Sequence, residues 1–380
     1  MTAGPVRLAS LDAFRGFTIA AMVLVNNPGD WSALYSQLAH AKWHGWTFTD
    51  LIFPFFLFMG GVSMALSLGR LASAGAARPT LLGKLALRAG LIFLIGLALN
   101  FIPNFNLDTV RIPGVLQRIA LCTLLAAPIV VYCGWRAQLG WIAGLLTLYS
   151  VLMLWVPVPG GAAGILEPGK DMGAWLDRQL LGGHLWVQAK TWDPEGVLST
   201  IPALCSQLLG VLGGRWLLTN SEPGVKTVWL LLAGLLLLWL GAILDVILMP
   251  INKSLWTTSF CLFATGWGLI AFGAFYWLLD ACPQVALREA ASRWCQPFRI
   301  YGRNALFIFA FSGLVAKMLG FIKFTQPDGS LKSLGALLYA PLRALEVGAV
   351  NSSLLYALVF NAAMFSIAWC MWRKKWFVKV

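Results

Sequence analysis

Residues 225–248 read VKTVWLLLAGLLLLWLGAILDVIL, and no charged residue lies between Lys226 and Asp245. Wound as an α-helix, an apolar run of this length crosses the ~30 Å hydrocarbon core of a bilayer. The same pattern recurs outward in both directions. Apolar runs of spanning length occupy 8–27, 49–71, 80–101, 112–132, 138–156, 196–218, 256–280, 298–320 and 351–372. The expected fold is all-α: a polytopic integral membrane protein of about ten transmembrane helices, forming one domain over 1–380. The stretch 332–347 is apolar but short and contains Pro341 and Arg343, which predicts an interfacial or re-entrant helix. The first run carries Asp12 and Arg15 in its first turns and no small-residue cleavage site follows it, so it does not read as a cleaved signal.

Composition agrees. Of 380 residues, 59% are hydrophobic and 11% charged, against about 25% charged in soluble domains. The mean hydropathy is +0.76. A soluble enzyme, a disordered chain and a disulfide scaffold are excluded. Seven cysteines with no CxxC pair give no zinc site or disulfide framework. The net charge of +13 would suggest nucleic acid in a soluble chain. Here it follows the rule that cytoplasmic loops collect Lys and Arg. With a cytoplasmic N-terminus, Arg7, Arg70, Arg78, Lys84, Arg88, Arg136, Arg215, Arg303, Arg373, Lys374, Lys375 and Lys379 fall inside. The opposite loops, above all the periplasmic loop 157–195, hold most of the acids. Both termini are therefore expected in the cytoplasm, and nucleic acid is not an expected partner.

Ionisable groups in or beside membrane spans are costly and mark function by default. They collect at the outer end. His40 and Asp50 flank the start of the second span; His is suited to moving a proton near neutral pH, and a carboxylate can orient it. An interfacial histidine among tryptophans can equally be solvated without a role. Arg111 and Arg118 lie two helical turns apart on one face, and a buried arginine needs an anion: a ligand phosphate or carboxylate, or an internal ion pair with Asp193, Glu195 or Asp50. Asp193 and Glu195 open the sixth span, where a helix-capping role is the plain reading. Asn252, Lys253, Thr257 and Ser259 read as a capped helix start with Trp256 as an interfacial anchor. Arg15, Arg303 and Asn304, with Asp12, form a smaller set near the inner face, readable as phosphate-binding or as topology signals. Metal is not expected, since no HxH or HExxH pattern occurs.

Taken together, Leu11-Asp-Ala-Phe-Arg15-Gly16, Val25-Asn26, the block His40 to Phe58, Val110-Arg-Ile-Pro-Gly-Val-Leu-Gln-Arg118, Trp192-Asp-Pro-Glu-Gly196 and Asn252-Lys-Ser-Leu-Trp256 resemble the heparan-alpha-glucosaminide N-acetyltransferase family and its bacterial relatives. The resemblance runs over nearly the whole chain. It implies a multi-pass acetyltransferase of the bacterial inner membrane. Such an enzyme moves acetyl from cytosolic acetyl-CoA, as co-substrate, to the amine of a glucosamine-type sugar at the outer face. It implies that His40 is catalytic and that Asn26 assists it, which turns the reading of His40 from solvated to catalytic. Arg111, Arg118, Thr257 and Ser259 match its polar helix starts. A homodimer is implied by family relatives. The loop from Asn26 to His40 departs from the lysosomal form, which puts the acceptor in question. A transporter of N-acetylglucosamine or a related sugar is the alternative, and discontinuous helices would favour it.

Overall fold

The computed structural model describes residues 8–73 and 75–378. Arg7 and Lys379, assigned above to the cytoplasmic side, lie outside them. Fourteen α-helices follow one another among the described residues: α1 (Ala9–Val25), α2 (Phe48–Ser73), α3 (Arg78–Phe101), α4 (Val115–Tyr132), α5 (Trp135–Leu154), α6 (Met172–Leu181), α7 (Thr200–Leu217), α8 (Pro223–Ile247), α9 (Thr258–Tyr276), α10 (Val285–Trp294), α11 (Gln296–Arg303), α12 (Ala305–Phe321), α13 (Leu334–Arg343) and α14 (Ala349–Arg373). A short antiparallel hairpin, β1 (Lys323–Thr325) and β2 (Leu331–Ser333), precedes α13.

Among the described residues, α2, α3, α4, α5, α8, α9 and α14 are long and apolar enough to cross a bilayer. The pair α11 and α12 is an eighth such element, bent by 81°. The sequence expectation of about ten also counted α1 and α7. The first is 17 residues long and the second carries Gln207 and Arg215. Both are interior helices, buried along most of their length. A helix surrounded by protein rather than lipid tolerates polar groups that a lipid-facing one does not. The run 298–320, read as one span, breaks at Asn304. There the amide donates to the Trp376 carbonyl at 3.0 Å and accepts from the Val378 N–H at 2.9 Å, which satisfies the polar groups at the break. Two further differences are local. Residues 157–195 contain α6, whose N-terminus is capped by the Asp171 side chain accepting from the Ala174 N–H at 2.9 Å. Within 332–347 the helix is α13, capped by Ser333.

Burial grades from centre to rim. In α2, 72% of the apolar window is buried; in α8 only 17% is, so α8 presents its leucines and tryptophans outward. Phe14, Phe58, Phe260 and Phe272 fill the centre, where α1, α2 and α9 meet. Gly16 and Gly302 set the approach of α1 to α11. A Cβ on Gly16 would stand 1.7 Å from the Phe298 carbonyl oxygen, and one on Gly302 would stand 1.9 Å from that of Asp12. The glycine of the Leu11–Gly16 motif is thus a contact between two backbones.

Candidate active site

At one end of the bundle, the segment 36–50 turns back over the start of α2. Asp50, buried in the first turn of α2, receives the chain that precedes it. Its Oδ2 accepts from the N–H groups of Ala41 and Thr47, each at 3.0 Å, and from the Thr47 hydroxyl. Its Oδ1 lies 2.6 Å from Nδ1 of His40. An acceptor with this many donors is a carboxylate. It therefore takes the Nδ1 proton of a neutral imidazole and leaves the lone pair on Nε2. The His40 side chain is 48% exposed while that of Asp50 is 2% exposed. The ring is anchored at one nitrogen and open at the other.

The same end collects the other outer candidates. Arg111, just before α4, makes a bidentate pair with Asp193 through Nε at 2.8 Å and Nη2 at 2.5 Å, and reaches Glu195 at 2.6 Å. Burial opposes the Arg111 charge, but the two carboxylates outweigh it and raise its pKa above the usual range. Burial likewise opposes ionisation of Glu195, yet Arg111, Lys253 and Arg118 hold its pKa below the ordinary value. These acids do not cap a helix, because α7 begins only at Thr200. Their partner is Arg111, eighty-odd positions away in the chain. Arg118, in the first turn of α4, is fully buried without a carboxylate in contact. It donates to the Gly196 carbonyl at 3.1 Å and to the Ser199 hydroxyl, and lies over the Trp256 ring at 5.3 Å.

Trp256 is not an interfacial anchor. It is fully buried, packs edge-on to Phe53 and Phe260, and donates from Nε1 to Ser206 at 3.1 Å. Its φ of +53° lies in the left-handed region, and the surrounding bonds hold that turn. Asn252 accepts from the Leu255 N–H, and Thr257 caps α9 while donating to the Pro250 carbonyl at 2.9 Å. Ser259 donates to the Met249 carbonyl at 2.7 Å. Gly45 donates to the Ile251 carbonyl at 2.8 Å, and Asn252 approaches His44 at 3.4 Å. The segment 249–257 is therefore pinned against the histidine segment, and Lys253 stands within electrostatic reach of both Asp50 and Glu195. Trp43 ties in the long loop by donating to the Leu166 carbonyl at 2.7 Å and stacking edge-on against Trp192. Asn26 caps the end of α1 and is exposed; it makes no hydrogen bond to His40. Its neighbour Val25 packs with Ile52 and Leu38, so it stands at the rim of the same segment.

The inner set is brought together elsewhere. A cavity of about 500 Å³ opens beside α2 and is lined by Arg15, Arg88, Arg303, Ser63, Thr123 and Gln207, among others. Arg15 donates to Ser63 at 2.5 Å, and Arg303 lies 3.7 Å from Asp12. Gln207 donates to Thr123 at 3.3 Å, but its buried Oε1 has no hydrogen-bond partner among the described residues. The lining along α2 runs from Ser67 up to Phe56, about 9 Å of helix rise below Asp50. A basic mouth with polar groups deep inside suits an elongated ligand with an anionic end. Asn304 faces the chain end instead, as described above, and is not in this lining. Arg88, read from the sequence only as a cytoplasmic charge, joins Arg15 and Arg303 in this lining, as do Ser63, Thr123 and Gln207. Their only signal is polarity within apolar runs.

A family model described as heparan-alpha-glucosaminide N-acetyltransferase, catalytic, matches residues 7–161. That stretch contains Arg15, Asn26, His40, Asp50, Arg111 and Arg118. Heparan-alpha-glucosaminide N-acetyltransferase of Homo sapiens is 32% identical over 364 residues, covering 81% of this chain and 53% of its own length. That of Mus musculus is 31% identical over 360 residues, covering 80% and 53%. The chain spans about half the length of these curated relatives. The histidine block and the arginine helix start fall inside the matched region, and the similarity to these N-acetyltransferases extends over about four fifths of this chain.

Proposed function

We propose that the protein is an N-acetyltransferase that moves the acetyl group of acetyl-CoA to the amine of a glucosamine-type amino sugar. The observation that carries this reading is the His40–Asp50 pair, with one ring nitrogen held by a buried carboxylate and the other open. Acetyl-CoA supplies an activated thioester, and the basic cavity around Arg15, Arg88 and Arg303 suits its phosphates. From Ser63 to Asp50 the rise of α2 is about 20 Å, a distance suited to an extended arm reaching from that mouth toward His40. Unpartnered Oε1 of Gln207 is an acceptor along the way.

The chemistry follows from the tautomer. An amine attacks a thioester only when uncharged. Nε2 of His40 takes the proton released as the nitrogen bonds to the acetyl carbon, and returns it to sulfur as the C–S bond breaks. Asn26 donates to the oxyanion that forms meanwhile. Arg111, Asp193, Glu195, Arg118, Asn252 and Lys253 form the polar wall facing the acceptor, and Thr257 and Ser259 hold the turn that carries Lys253. Asn304 maintains the break beside Arg303. On this reading about ten helices, α1 and α7 included, cross the inner membrane of a bacterium. Both termini are cytoplasmic, the loop 157–195 lies outside, 332–347 sits at the interface, and two copies form a homodimer. The 81° break between α11 and α12 is the one feature that favours sugar transport instead.

The test is incubation of purified protein with acetyl-labelled acetyl-CoA and a panel of amino sugars. Label is expected on an amine, with free CoA released in step. His40→Ala is expected to lower transfer by about a thousandfold or more while acetyl-CoA still binds. Full activity in that variant would sink the catalytic assignment. Sugar uptake without transfer would favour the transporter. Label retained on His40 would mark a route through an acetylated imidazole.

A further inference from the structure

The largest departure from satisfied hydrogen bonding lies at the start of α4. Arg118 is 1% exposed and Gln117 2%. Nε and Nη1 of Arg118 and Nε2 of Gln117 have no acceptor among the described residues. Buried donors left without acceptors are costly. Arg118 is not neutralised by a contact ion pair, since its two acceptors are the neutral oxygens of Gly196 and Ser199. Glu195 stands nearby but is engaged by Arg111. The first backbone N–H groups of α4 add to the same positive end, and no side chain caps them. All these groups await oxygen acceptors, and a guanidinium fork matches phosphate.

Both residues line a second cavity, of about 820 Å³, on the outer flank of α4, α5 and α7. Below Arg118 its walls are almost wholly apolar. Leu121, Leu125, Trp141 and Tyr132 are exposed there, on helices that cross the membrane, so the groove faces lipid. Along α4 it runs from Gln117 to Tyr132, about 22 Å of helix rise. One leaflet of hydrocarbon is about 15 Å deep, half of ~30 Å. The groove is therefore longer than the depth an ordinary phospholipid tail fills.

We propose that the groove seats the polyprenyl chain of a phosphate-headed lipid, with the phosphate at Arg118 and Gln117, so that the amino-sugar acceptor arrives lipid-linked. This rests on the acyltransfer reading for the acceptor, not for the binding site. The phosphate end lies on the same side as Arg111, Glu195 and Lys253, which border the histidine segment. A sugar carried on that phosphate therefore enters the polar wall rather than open solution.

Native mass spectrometry of the protein in nanodiscs, with added undecaprenyl phosphate as probe, tests the site directly. Wild-type protein is expected to retain the probe. Leu125→Trp, which fills the groove from its lipid side, and Arg118→Gln are each expected to weaken retention by about tenfold or more. Leu236→Trp on the exposed face of α8 is expected to leave it unchanged. In the acetylation assay, Leu125→Trp should raise KM for a glucosaminyl-phosphoryl-polyprenol relative to free glucosamine by a similar factor. No retention by wild type, equal retention by Leu125→Trp, or displacement by equimolar phosphatidic acid would each overturn the proposal. A disulfide between two copies carrying Leu125→Cys would do so too, marking a protein interface. Probe retention without acetylation of any amine would sink the transferase reading and leave the site. Acetylation of free glucosamine without probe retention would do the reverse.

Discussion

The short bond between His40 and Asp50 is where residue chemistry and function meet. Asp50 Oδ2 is occupied by two backbone N–H groups and a hydroxyl, so Oδ1 is the oxygen left for the ring. Replacing Asp50 by Asn puts an amide where the carboxylate was and removes the charge that favours an imidazolium at the moment of proton transfer. Asp50→Asn is expected to lower kcat by about a hundredfold, with little change in KM for acetyl-CoA, and to move the acidic limb of the pH–rate profile, where the general base becomes protonated. A kcat equal to wild type with an unmoved profile would leave Asp50 a purely structural residue. The sequence alone placed both residues at the start of a span, and could not say whether they touch. Spacing of ten positions through a loop leaves that open until Thr47 and Ala41 close the turn on Asp50.

At the scale of elements, α6 is the unexpected part of the long loop, and it carries an acid whose proton affinity it alters. Asp177 is buried, which pushes its pKa up to about 6; the Val197 N–H pulls the other way, and Asp193 adds to the rise. A carboxyl with a raised folded-state pKa binds its proton more tightly folded than unfolded. Its contribution to stability is therefore full below about pH 4, declines as pH rises toward 6, and is lost above it. The wild type minus Asp177→Asn difference in thermal stability is expected to fall over that window, by about 3 kcal/mol at most. A difference that is flat or rises with pH would contradict the assignment. The contact of α1 with α11 gives a second expectation. Gly16→Ala would force a methyl into the Phe298 carbonyl and is expected to cost about 1–3 kcal/mol or more, read as a lower melting temperature in detergent. Neither feature was legible beforehand. Glycine in an apolar helix looks like any other small residue, and an acid in a loop looks solvated.

At the scale of the whole molecule, the histidine cluster and the basic cavity are set apart along α2. The histidine cluster lies at one end, and the basic cavity opens alongside α2 toward the other. If acetyl-CoA enters by that cavity, Arg15→Gln combined with Arg303→Gln is expected to raise its KM by about tenfold with kcat less affected. In sealed proteoliposomes, acetyl-CoA and amino sugar should then work only from opposite sides. Equal activity with both substrates on one side would contradict that arrangement. The break at Asn304 belongs to this scale too: it turns α11 across the bundle so that Arg303 comes near Asp12.

Sequence alone determined the helical membrane character, the polar ends of the spans and the residues able to do acid–base work. Hydrophobic run length and charge placement are local properties of a chain in lipid, so they can be read without a fold. Only the tertiary structure decided the partnerships. It gave Asp193 and Glu195 to Arg111 rather than to Arg118 or to a helix cap, and buried Trp256 instead of anchoring it at the interface. It left Arg118 among neutral oxygens, with two nitrogens unpaired among the described residues. These outcomes depend on which helix ends lie side by side. Packing sets that, through backbone approaches such as Gly16 against Phe298, and no spacing along the chain encodes it.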